Sequence, residues 1–81
     1  MKARVFVSLK STVLDPQGQT VRSALAGLGY PAIQDVRQGK FFEIAIADTV
    51  SQEQARQDID TIAHEVLANP VIEEYRVEFL E

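Results

Sequence analysis

The sequence predicts an α+β fold of β-α-β-β-α-β order, and three observations predict it. Stretches with apolar residues at every second position are interspersed with two stretches of helical spacing. Each helical stretch carries a single apolar stripe, so both helices need a common sheet face to cover. Right-handed crossovers then put the first and third strands at the centre of a four-stranded antiparallel sheet, with the fourth beside the first and the second outside the third. This is the ferredoxin-like two-layer sandwich, with two helices on one face. Residues 1–81 are expected to form one domain, since 81 residues make a single small core.

The first strand is read over residues 2–10. Ala3, Val5, Val7 and Leu9 point one way and Lys2, Arg4, Ser8 and Lys10 the other, with Phe6 an apolar exception among them. Asp15-Pro16 then announces a helix. The carboxylate can accept from free first-turn amides, and proline at the first helical position gives up an N–H that would go unpaired. Val21, Ala24, Leu25 and Leu28 follow at i, i+3, i+4 and i+7, predicting a helix over 16–28. Gly29 suits a left-handed C-cap and Pro31 prevents resumption.

Residues 33–37 form a short strand candidate, Gln38-Gly39 a tight turn, and 40–48 a stronger strand, together a hairpin. Ser51 through Gln54 has the S-x-x-Q form of a capping box, in which the Gln54 side chain reaches back. Ala55, Ile59, Ile62, Ala63, Val66 and Leu67 recur at helical spacing, and Asn69-Pro70 ends that helix. The last strand is read over 72–80. In the predicted order, Lys2, Arg4 and Lys10 lie between Glu43 on one side and Glu74, Arg76 and Glu78 on the other, so that opposite charges face across strands.

Composition narrows the function. Twelve acidic against eight basic residues give a net charge of −4, which disfavours nucleic acid as a partner. The absence of cysteine removes disulfides, thiol catalysis and thiolate metal sites. No apolar run approaches the roughly 18–20 residues of a membrane span, and the N-terminal residues enter a strand pattern directly, so a cytoplasmic location is expected. A domain of this size buries only about 60–65% of its unfolded surface, which favours oligomerisation.

No catalytic centre stands out. His64 falls on the outer face of its helix, and Asp58, Asp60 and Glu65 there have no partner at metal-ligand spacing. Asp15 is accounted for by capping. Gly39-Lys40 lacks the earlier glycines and the following Ser or Thr of a phosphate loop. Phe6 and Phe41 differ from these. Both lie on the face that the helices leave bare, beside Val36, Ala45 and Ala47, and so point to a covered surface and protein–protein contact.

The chain resembles the PurS family, small subunits of phosphoribosylformylglycinamidine synthase. The resemblance runs along essentially the full length. Its residues are the basic first strand ending in Leu9-Lys10; Val13-Leu14-Asp15-Pro16-Gln17-Gly18; Val21, Leu25 and Leu28-Gly29; Val36-Arg37-Gln38-Gly39-Lys40; and Ile72-Glu73-Glu74-Tyr75. It implies a non-catalytic subunit that docks a glutamine amidotransferase subunit (PurQ) to a large synthetase subunit (PurL), so that ammonia passes between them. It also implies that ATP, Mg and glutamine are used by the complex and no cofactor is bound by this subunit. In single-chain enzymes an N-terminal domain looks like a PurS dimer, the piece such a subunit would supply; a homodimer or higher homo-oligomer is expected from the short chain and from Phe6 and Phe41. Candidate interface residues are Phe6, Lys10, Asp15, Arg37, Gly39, Lys40 and Phe41. The rival reading is a free-standing regulatory domain similar to the amino-acid-binding ACT modules, with Asp15-Pro16-Gln17-Gly18 as its glycine-containing turn.

Overall fold

A computed structural model describes residues 1–80. The elements are β1 (Lys2–Leu9), α1 (Pro16–Gly27), β2 (Gly39–Ala45), α2 (Gln52–Ile62), a π-helical turn continuing α2 (Ala63–Leu67), and β3 (Glu73–Leu80). The sheet is antiparallel with order β2-β1-β3, so the first strand is central and flanked by the two strands expected beside it. The expected charge pairing is present: Arg4 lies opposite Glu43 on one side and Glu78 on the other.

The core forms between one sheet face and α2. Ala3, Val5 and Val7 of β1 are buried, as are Ala55, Ile59 and Ala63 above them. Phe42, Ile44, Tyr75, Val77 and Phe79 pack around this centre. Ser51 caps α2 by accepting from the Gln54 amide at 3.1 Å. The other half of the capping box is not made, because the Gln54 side chain donates to Asp58 at 2.8 Å. The π turn carries a bond from the Ala68 N–H to the Ala63 carbonyl at 3.0 Å, five residues back, and the helix stops there before Asn69-Pro70.

Two expectations are corrected. Among the described residues the sheet has three strands, because residues 33–37 form neither a strand nor the expected hairpin. The end of that segment is tied to the start of α1 instead. The Gln38 N–H donates to the Asp15 carboxylate at 2.7 Å, and the Arg37 guanidinium donates to the carbonyls of Lys10 and Val13 at 3.0 and 2.9 Å. A segment with few alternating apolar residues has little apolar surface to bury by joining a sheet.

The second correction concerns α1. It does not cover the sheet: Gly18 is its only buried residue, and no residue of α1 belongs to the core. The protein is correspondingly flat and long, 51 × 27 × 14 Å.

Candidate protein–protein interface

The seven candidate interface residues fall into two places. Five of them, Lys10, Asp15, Arg37, Gly39 and Lys40, gather where β1 ends, α1 begins and β2 starts. Asp15 is the centre of this cluster. Proline at N1 fixes the start of α1, and the Asp15 side chain accepts from the Gly18 amide at 2.9 Å as an N-cap. Its second oxygen takes the Gln38 amide, so one carboxylate joins the helix start to the segment that leads into β2. The Gly18 and Gln38 amides hold the Asp15 carboxyl below its usual value against the opposing effect of burial, and Arg37 adds to the lowering.

Asp15 is 4% exposed, and its two oxygens are engaged within the chain. Arg37 likewise clamps the 10–13 connection. Both act here as latches. Two glycines permit the close approach. A Cβ on Gly18 would lie 2.0 Å from the Val36 carbonyl oxygen, and one on Gly39 would lie 2.8 Å from that of Val7. Lys40 is half-exposed and reaches Glu73 of β3 at 3.9 Å. A shallow hollow of about 330 Å³ opens between these elements, lined in part by Asp15, Gln17, Gln38, Lys40 and Glu73.

The other place is the outer sheet face. Phe6 lies opposite Phe41 on β2 and opposite Arg76 on β3. The two rings are tilted with centroids 5.8 Å apart, and the Arg76 guanidinium sits 4.4 Å from the Phe6 centroid. Phe41 remains 59% exposed. A cation over an aromatic pair, ringed by Arg4, Glu43 and Glu78, has an apolar centre and a charged rim, the pattern of a protein contact.

The sequence reading missed the Asp15–Gln38 bridge, the Gly18–Val36 approach and the placing of Arg76 over Phe6. The first two join segments about twenty residues apart and leave no local pattern. The third was legible in the cross-strand register once β3 was set beside β1. His64 is exposed and meets the Tyr75 ring edge-on at 6.3 Å. The Tyr75 hydroxyl donates to Asp60 at 3.1 Å; burial and then this bond push its pKa upward.

Comparison with known proteins decides the family. Residues 2–81 match the family model PurS, described as phosphoribosylformylglycinamidine (FGAM) synthase. The chain belongs to the PurS family. The PurS subunit of Bacillus subtilis is 45% identical over 84 residues, spanning 99% of this chain and 93% of that protein. The PurS subunit of Mycobacterium leprae is 46% identical over 94% of this chain and 91% of its own length. Among solved structures, B. subtilis PurS superposes with a TM-score of 0.85 at 44% identity, covering 99% of this chain and 98% of that one. A chain of the structure described as PurLQS from Thermotoga maritima gives 0.86 at 30% identity, covering 98% and 95%. These PurS relatives are named as subunits of the synthase, and the ACT-like reading is not favoured.

Proposed function

We propose that this chain is the non-catalytic docking subunit of a cytoplasmic phosphoribosylformylglycinamidine synthase. It self-associates as a homodimer or higher homo-oligomer and holds a PurQ-type glutaminase against a PurL-type synthetase for ammonia transfer. The observation that carries this reading is how the side chains are used. Asp15 and Arg37 are engaged in holding the chain together, while large apolar side chains (Val21, Leu28, Phe41, Val66) stand in solvent. That is the surface of a protein that works by contact. The T. maritima structure named for PurL, PurQ and PurS together supports assembly of the same kind. In this reading ATP, Mg and glutamine are handled by the partner subunits, and this subunit binds no cofactor.

The test is reconstitution. Added to its two partners, the chain should restore glutamine-dependent synthesis. Ammonia-dependent synthesis by the large subunit should change much less, since free ammonia bypasses a docked glutaminase. Lys40→Ala and Phe41→Glu lie outside the core, and raising the concentration of either variant should rescue activity, as mass action requires of weakened binding. A defect that persists at saturation with the complex intact would refute the docking role.

A further inference from the structure

Apolar alternation on the core side of the sheet breaks at two positions. Phe42 and Ile44 of β2 pack on the core, as do Tyr75, Val77 and Phe79 of β3. The next residues in these two series are Lys40, opposite Val7, and Glu73, opposite Leu9. Both charges stand where β1 ends and α1 begins, and both line the hollow of about 330 Å³ that Asp15 borders. Glu73 is held in place: one carboxylate oxygen accepts from the Asn69 N–H at 2.8 Å, and the side chain is 18% exposed. Its other oxygen lies 3.9 Å from the Lys40 ammonium, too far for a hydrogen bond. The two charges therefore face one hollow without neutralising each other through direct contact.

We infer that this hollow binds a small zwitterion, a free α-amino acid, with its carboxylate on Lys40 and its ammonium on Glu73. The free charges select that class. Asp15 also borders the hollow, but its two oxygens are taken by the Gly18 and Gln38 amides. One cation and one carboxylate are left. A phosphate would meet Glu73 and a metal ion would meet Lys40, whereas a molecule carrying both charges is matched. An α-amino acid holds its ammonium nitrogen and carboxyl carbon about 2.5 Å apart, fixed by its bond lengths and angle. Its two ends can therefore reach groups set 3.9 Å apart. Ligand pockets span roughly 300–1,000 Å³, and a hollow at the lower bound suits a small occupant. Val7 and Leu9 supply apolar contact, and the exposed Gln17 and Gln38 offer amides to a polar side chain. Because Gln38 is tied to the start of α1 and Glu73 to the Asn69 amide, an occupant would brace the joint between α1, β2 and β3. Such a site is additional to docking and does not depend on it.

The test is calorimetric titration of the full chain with each of the common α-amino acids at millimolar concentration. At least one should bind, with one site per chain. Its N-acetyl derivative lacks the ammonium and its α-carboxamide lacks the carboxylate. Each should bind roughly tenfold more weakly or worse, because each loses one charge-assisted contact. Lys40→Met and Glu73→Gln should weaken the parent amino acid by the same order, while Lys40→Arg retains it. Glu73→Gln keeps an acceptor for the Asn69 amide, so its fold is preserved, and thermal melts check this for every variant. No binding by any of the amino acids would overturn the proposal. So would a derivative that binds as well as its parent, a comparison made on the native chain and independent of how the variants fold. Binding that survives both Lys40→Met and Glu73→Gln would also overturn it, by placing the ligand elsewhere. The readout is binding to the chain alone, so a failure here leaves the docking role standing, and a failed reconstitution leaves this site standing.

Discussion

The two helices have nearly equal lengths, 12 residues in α1 and 11 in α2, and comparable N-terminal caps, yet they are held in opposite ways. α2 is held by apolar side chains, with Ala55, Ile59 and the following Ala63 buried on the central strand. α1 is held by polar atoms at its first turn and leaves Val21 and Leu28 of its stripe in solvent. Caps set where a helix begins and in which direction it leaves. They contribute about 1 kcal/mol each and do not choose what the helix packs on. An amphipathic stripe states that something covers the helix, and says nothing about which chain supplies the cover.

The contrast can be broken most sharply at Ile59. Ile59→Ala removes the buried side chain under α2 and should cost about 2–5 kcal/mol at any protein concentration, measured by urea denaturation. Leu28→Ala at the end of α1 should cost less than about 0.5 kcal/mol in dilute protein. A large cost there at high dilution would mean that α1 is covered within its own chain.

Next in size is the approach of α1 to the 36–38 segment. Gly18→Ala places a methyl against the Val36 carbonyl and should destabilise by about 1–3 kcal/mol. Gly27→Ala meets nothing within 4 Å and should stabilise by about 0.5–1 kcal/mol, because alanine is the better helix former. Thermal melts of the two variants should therefore move in opposite directions. Equal shifts would remove the Gly18 contact from the account.

A smaller loss, about 1 kcal/mol, is expected for Gly29→Ala. Gly29 has φ +98, and the Tyr30 and Gly29 amides bond back to Leu25 and Ala26 at 3.0 and 3.2 Å, a left-handed cap closing α1. An unchanged melting temperature would show that the cap can be made another way.

The subtlest effect concerns pH. The Asp15 carboxyl titrates below its ordinary value of 3.8 in the folded chain, so its contribution is complete above about pH 5 and is lost as pH falls through the lower folded value. The melting difference between the native chain and Asp15→Asn should be constant above about pH 5 and shrink in more acidic buffer. A difference that grows on acidification would reverse the sign of the assignment.

Most of the secondary structure was legible because it is local. Alternation gave β1, β2 and β3, Asp15-Pro16 and Ser51 gave the helix starts, and Gly29 gave the stop. Right-handed crossovers gave the neighbours of β1, and the charges around Arg4 agreed with them. What was not legible was decided by distant groups. Where the fourth strand was expected, the chain is tied by Asp15 to Gln38 and by Arg37 to Lys10 and Val13, partners set by the folded path. The docking of α1 was inferred from its stripe, and the stripe is real although the sheet of its own chain does not cover it. Alternation put Phe6 and Phe41 on one face of the sheet, where their rings meet. Asp15 and Arg37 entered as contact residues, and only the geometry shows how completely their polar atoms are occupied within the chain.

The central position of β1 has a consequence for how the protein comes into being. This strand is made first, and its partner β3 is made last, with Lys2 opposite Leu80 in the register. During synthesis β1 therefore waits with one edge unpaired until residues 73–80 have been made. Only then can its second edge close. Pairings this far apart in sequence form slowly and leave apolar strands open to other chains while they wait. A nascent chain stalled before residue 73 would present that central strand to whatever protein lies nearest, including the unfinished copy on the next ribosome.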